Sequence, residues 1–146
     1  MMQRALIYGT LAAAGTATWM LLEFALGLHT EHAEIGRWTG FVGLLFPVIA
    51  IALALSAQRR SEGALPMRRA LAQSAAIGVV FAILGALTAW LYFAWVNPAF
   101  RVGGQPVDVV QQVVAAGLGG FVACVIIGAI AAYVLRPRSR PRGAAT

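Results

Sequence analysis

The chain contains no lysine and only one cysteine, Cys124, and only 11% of its 146 residues are charged. Each scarcity excludes something. Without lysine there is no Gly-Lys-Ser/Thr phosphate loop and no lysine Schiff base. With one cysteine no intramolecular disulfide can form, and none of the paired-cysteine metal motifs is available. The low charge excludes an ordinary soluble domain, in which about 25% of residues are charged. The 60% hydrophobic content and mean hydropathy of +0.80 give more apolar surface than a chain of this length could bury around one aqueous core, so lipid is expected to be the solvent for most of it.

Four apolar runs are long enough to cross a hydrocarbon core about 30 Å thick, which takes about 20 helical residues. They cover about residues 5–28, 38–57, 70–96 and 109–135. Spanning backbone must satisfy its own hydrogen bonds, and the runs lack the alternation of barrel strands, so helices are expected. The fold class read from the sequence is an all-α membrane protein, four transmembrane helices in an antiparallel bundle, followed by a basic tail over residues 136–146 whose Arg-, Pro- and Ala-rich composition predicts disorder.

The eleven basic residues, all arginine, are partitioned by the spans. Arg4, Arg59, Arg60, Arg68, Arg69, Arg136, Arg138, Arg140 and Arg142 fall on one side, and only Arg37 and Arg101 on the other. Positive charge is retained in the cytoplasm. This predicts cytoplasmic termini and a cytoplasmic middle loop, with residues 29–37 and 97–108 outside, in the inner membrane of a bacterium. A net charge of +6 suggests nucleic acid in a soluble protein, but here the arginines sit between apolar runs and point to lipid instead. Arg59, Arg60, Arg68, Arg69, Arg136 and Arg138 are candidate headgroup contacts. The first run, with Arg4 before it and small residues at Ala12–Ala14 and Ala17, imitates a signal peptide. Its length exceeds a usual signal core, so it is read as an uncleaved helix.

Aromatic residues mark the interfaces: Trp38, then Trp90, Tyr92, Phe93 and Trp95, and Tyr133. Asn97-Pro98 ends the third helix, because proline cannot continue the hydrogen-bond ladder. Pro47, inside the second, frees a carbonyl. Small residues recur every fourth position at Ala116, Gly120, Cys124, Gly128 and Ala132, and again at Ser74, Gly78, Ala82 and Ala86. Such stripes permit close helix approach, within the chain or between copies.

Glu23 is the one charged side chain well inside a span, and an ionisable group at that depth reads as an ion or proton site by default. Placed towards the outer end of its helix, it can equally serve as a polar contact between helices. Beyond it, His29 and His32 are three apart and could share a helical face as metal contacts. Two ligands fall short of the three or four a specific site needs, and a solvated loop explains the same residues. No cofactor is expected, and no acid and base are expected at one membrane depth.

The order of these features resembles a known family. Tyr8-Gly9 opens the first span and Ala25-Leu26-Gly27 closes it. Gln58-Arg59-Arg60, Glu62-Gly63 and Leu65 form the middle connection, Arg69-Ala70-Leu71 and Gly78 follow, and Tyr92-Phe93 leads to Asn97-Pro98-Ala99-Phe100. This pattern is similar to that of the bacterial four-helix membrane family known as domain of unknown function DUF4199. The resemblance implies a four-helix membrane protein and brings no catalytic residues with it. Size and a first-helix glutamate are also similar to small multidrug resistance transporters, whose other aromatic motifs are missing here. The expected function is therefore a non-enzymatic structural, accessory or regulatory role, acting with lipid, a second copy or another membrane protein. A small transporter or channel subunit using Glu23 is the alternative.

Overall fold

The computed structural model describes residues 1–63, 65–102 and 105–135. It is all-helical apart from one short hairpin. Helix α1 covers Met2–Ala25. The second span is composite: α2 (Ala33–Thr39), a 3-10 turn (Gly40–Leu44) and α3 (Leu45–Glu62). Helix α4 (Met67–Leu91) passes into a π-helical turn at Tyr92–Val96. Strands β1 (Arg101–Val102) and β2 (Gln105–Pro106) pair antiparallel, and the fourth span is α5 (Val109–Val114), a second π-helical turn (Ala115–Gly119) and α6 (Gly120–Val134). Four helices, Met2–Ala25, Glu34–Glu62, Met67–Val96 and Val109–Val134, are long and apolar enough to cross a membrane. The basic tail, with Arg136, Arg138, Arg140 and Arg142, lies outside the described residues.

Local chemistry sets the breaks between these elements. The apolar run that predicts helix to about residue 28 stops at Ala25, because Gly27 takes a left-handed φ of 74°. Gly27 N–H donates to the Phe24 carbonyl at 3.0 Å and Leu28 N–H to the Glu23 carbonyl at 2.9 Å, the paired bonds of a Schellman C-cap. The second span then starts earlier than the hydropathy suggests, at Ala33. Pro47 lacks the N–H that would bond the Gly43 carbonyl four residues back. The backbone there tightens into the 3-10 turn, and the Gly43 carbonyl accepts instead from Thr16 Oγ1 on α1 at 3.2 Å. The third span ends as Asn97 N–H reaches back five residues to the Tyr92 carbonyl at 2.8 Å. Asp108 caps the fourth, its carboxylate accepting from Val110 N–H at 2.9 Å.

The bundle differs from a simple antiparallel ring. Helix α1 packs on α3 and α4, and α6 packs on α4 and α3. Across α1 and the second span, residue numbers run in opposite directions: Trp19 meets Thr39, Thr16 meets Gly43, and Arg4 meets Ser61. Across α1 and the third span they run together, Gly9 against Val80 and Phe24 against Tyr92. The first and third spans are therefore parallel neighbours. The same holds for the second and fourth, where Val48 and Ile127 line one groove with Ser56 and Leu135. The connection after Glu62 thus joins diagonally opposed helices, which hydropathy could not reveal.

Packing is inverted relative to a soluble bundle. The buried face of α6 is Cys124, Gly128 and Ala132, whereas Val122, Ile126, Ile130 and Val134 are exposed. The buried set elsewhere is similarly rich in alanine: Ala5, Ala12, Ala13, Ala50, Ala54 and Ala70. Helices apolar on every side belong in lipid, where close backbone approach replaces hydrophobic segregation as the source of association. The approach is closest at Gly128. A Cβ built there would stand 2.1 Å from Ser74 Oγ, inside any possible contact. Gly78 similarly faces Cys124, and Gly120 faces the Phe81 ring. The stripe on the fourth span thus lies against α4 of the same chain over these positions.

Candidate functional site

The residues with chemical potential collect at the end of the bundle where α1 stops. Glu23 sits on the last turn of α1, facing inwards and 3% exposed. The 3-10 turn and α2 bring Thr39 against it from the second span, and Thr39 Oγ1 donates to Glu23 Oε1 at 2.6 Å. The same threonine's carbonyl accepts from Trp19 Nε1 at 3.1 Å. The Schellman turn at Gly27 reverses the chain, so His29 folds back over the helix it has just left. His29 Nε2 lies 3.4 Å from Glu23 Oε2. Its other nitrogen, Nδ1, bonds the Tyr92 hydroxyl, and Tyr92 is 2% exposed at the start of the π-helical turn. Asn97, 6% exposed at the end of that turn, donates from Nδ2 to the same hydroxyl at 3.3 Å.

These bonds run in one direction. Asn97 donates to Tyr92, whose hydroxyl proton then goes to His29 Nδ1. In the His29 tautomer that carries its proton on Nε2, that proton faces Glu23, whose second oxygen takes the Thr39 hydroxyl. A neutral imidazole suits this order, since it donates from one nitrogen and accepts at the other. Burial lowers the His29 pKa from its ordinary value, and the neighbouring Glu23 carboxylate opposes that only in part. Rings flank the polar chain. Phe24 meets Tyr92 edge-on at 6.0 Å, His29 meets Phe100 at 5.5 Å, and Phe93 lies edge-on to Tyr92 and tilted against Phe100.

The arrangement could hold a proton and pass it between Glu23 and His29. The acid and base that hydropathy places at separate depths are neighbours, because the reversal at Gly27 returns the histidine to the helix end. The second histidine does not join them. His32 lies on an exposed edge with Thr30, Glu31, Glu34 and Ile35. Among the described residues no three His, Cys, Asp or Glu side chains converge as a metal site would need. Thr39, Tyr92 and Asn97 are members of the cluster that sequence reasoning missed. Tyr92 reads as an interface aromatic and Asn97 as a helix stop, yet Tyr92 continues the buried face of Ile77, Phe81 and Ala89, and the π-helical turn that follows brings Asn97 back over it. The signal that could have exposed them is the Asn-Pro pair placed five residues after a tyrosine.

The arginine end is arranged differently. Arg69 bonds Glu62 at 2.9 Å and Arg4 bonds Ser61 Oγ at 3.1 Å. Arg59 and Arg60 line a cavity with Ser56, Gly63 and Leu135. Arg68 adds a further charge at the start of α4. Arg136 and Arg138 lie outside the described residues.

The family model for a protein of unknown function, DUF4199, matches residues 7–103. The chain belongs to this family. The matched stretch contains Glu23, His29, Thr39, Tyr92 and Asn97 and stops before the fourth span. No curated protein and no solved structure matches the chain.

Proposed function

We propose that this DUF4199 member is a non-enzymatic, multi-pass protein of the bacterial inner membrane, structural, accessory or regulatory in role. Both termini and the middle connection face the cytoplasm, a reading supported by the arginine bias of nine against two. The polar cluster would then lie at the outer face and act as a clasp joining the first three spans. The observation that carries this reading is the engagement of Glu23. Both of its oxygens are taken, one by Thr39 and one by His29, and only 4% of its side chain is exposed. An intramembrane acid held this way is a polar contact between helices rather than a waiting ion site. The basic residues serve lipid, and a second copy or another membrane protein is the expected partner.

A proton-coupled transporter is the second reading. What favours it is the unbroken polar chain from Asn97 through Tyr92 and His29 to Glu23. Purified protein in liposomes carrying a pH gradient separates the two. Under the clasp reading, flux equals that of protein-free liposomes, and Glu23→Gln changes only stability. A flux that Glu23→Gln abolishes would establish the second reading instead.

A further inference from the structure

Two cavities adjoin at the arginine end, sharing Ser56 and Leu135 in their walls, and their linings differ in kind. One, of about 340 Å³, is a groove between α3 and α6 lined by Val48, Ala52, Ile127, Ile130, Ala131 and neighbours, almost wholly hydrocarbon. The other, of about 370 Å³, is lined by Arg59, Arg60 and Gly63. Ser56 and Leu135 belong to both. The groove follows the helix axes: from Val48 to Ser56 the helix rises about 12 Å, and the arginines lie one turn further on. A hydrocarbon groove therefore abuts, at Ser56 and Leu135, a cavity lined by two arginines.

The arginines at this mouth are uncommitted. Arg69 has Glu62 and Arg4 has Ser61, whereas Arg59 and Arg60 have no hydrogen-bond or ion-pair partner among the described residues. The nearest acid in sequence, Glu62, is already held by Arg69 and by Gln58. Two adjacent guanidinium groups without a carboxylate fit a phosphate diester, which accepts parallel N–H bonds from each. Why these helices leave a groove is also clear. The second and fourth spans face each other here through Ala52, Ser56 and Ala131, whose side chains are too short to fill the space beneath Val48, Ile130 and Val134.

We propose that this composite site binds one anionic phospholipid, an acyl chain lying in the α3–α6 groove and the phosphate on Arg59 and Arg60. The site rests on the membrane reading above, and it adds a defined position, stoichiometry and headgroup charge to it. Neither part suffices alone. The groove without the arginines would take any lipid tail, and the arginines without the groove would take any phosphate.

The test is native mass spectrometry of the full chain released from detergent micelles containing palmitoyl-oleoyl phosphatidylglycerol or the phosphatidylcholine with the same chains. One phosphatidylglycerol should be retained per chain, about 10- to 30-fold more tightly than phosphatidylcholine, the increment expected of two cationic side chains facing an anionic headgroup. Arg59→Ser with Arg60→Ser should remove the preference while leaving the unfolding temperature in lipid-free micelles unchanged. Arg68→Ser, which takes a charge from the same end but not from the groove, should leave the preference intact. Ala131→Trp, which fills the groove and spares both arginines, should lower phosphatidylglycerol binding as far as the double arginine variant does. Inorganic phosphate at equal concentration should not displace the lipid.

Equal retention of the two lipids would overturn the site, as would an Arg68→Ser loss matching that of the double variant. Displacement by inorganic phosphate would reduce it to a phosphate contact, and a dimer broken by Ala131→Trp would assign the groove to a second copy. Retention of neither lipid, with the chain monodisperse outside micelles, would instead overturn the membrane reading itself.

Discussion

The two ends of the bundle treat polar groups in opposite ways. At the Glu23 end, buried Glu23, Tyr92 and Asn97 and half-buried His29 and Thr39 bond one another, and no buried side-chain atom there lacks a partner among the described residues. At the arginine end, Gln58 Oε1, Gln73 Nε2 and Ser74 Oγ are buried without partners among the described residues, while Arg59 and Arg60 line a cavity. One end is closed on itself and the other is left with unmet bonding capacity. A closed network fixes geometry, because each member loses more by leaving than by staying. Of the uncommitted groups, the two arginines can reach beyond the chain, so the contrast is between an end closed on itself and an end left open.

Substitutions can break that division in order of expected effect. Gly128→Leu should be the most damaging, since its first side-chain atom meets Ser74 at once, and about 3 kcal/mol should be lost from overpacking. Unfolding by titration with a denaturing detergent, followed by circular dichroism, would measure it, and an unchanged midpoint would deny the close α4–α6 contact. Glu23→Ala should cost about 2 kcal/mol in the same assay, by leaving His29 without its acceptor and Thr39 with only the weaker Gly36 carbonyl at 3.3 Å. Thr16→Val should cost about 0.6 kcal/mol, the usual scale for one hydroxyl bond between membrane helices, because the Gly43 carbonyl loses the donor that α1 supplies.

The pH dependence sharpens the comparison further. The lowered His29 pKa means that the unfolded chain takes up a proton before the folded one does as pH falls. Stability should therefore be complete above the ordinary histidine value near 6.5 and decline as pH falls below it. His29→Gln should flatten that slope, and a slope equal in both proteins would place the titrating group elsewhere. Arg59→Ser with Arg60→Ser should move stability by less than about 0.5 kcal/mol, since no bond is lost. A large loss there would mean that the open end also holds the fold.

Much of the architecture was legible because hydropathy and length respond to the bilayer directly. Four spans, the stop at Asn97-Pro98 and the family resemblance through Tyr8-Gly9 and Asn97-Pro98-Ala99-Phe100 could all be read in one dimension, whereas the second helix runs on to Glu62, past the expected end near residue 57. The neighbour relations could not. Apolar runs carry no record of which helix faces which, and the parallel pairing of first with third span depends on a diagonal connection. The site was half legible. Glu23 stands out because charge is rare in a span, but its partners depend on three-dimensional details: a left-handed Gly27, a 3-10 turn ahead of Pro47, and a π-helical turn that brings Asn97 back over Tyr92. Each shifts a side chain by a fraction of a turn, which a hydropathy window averages away.

The clasp is tested most directly by a double-mutant cycle between Glu23→Ala and Thr39→Ala, measured as unfolding free energy in micelles. The pair joins the first and second spans through one 2.6 Å bond. The account predicts that the two losses fail to add, with a coupling of about 1–2 kcal/mol, because removing either side chain already abolishes the shared bond. Strict additivity would contradict it, showing that Glu23 does not hold these helices together.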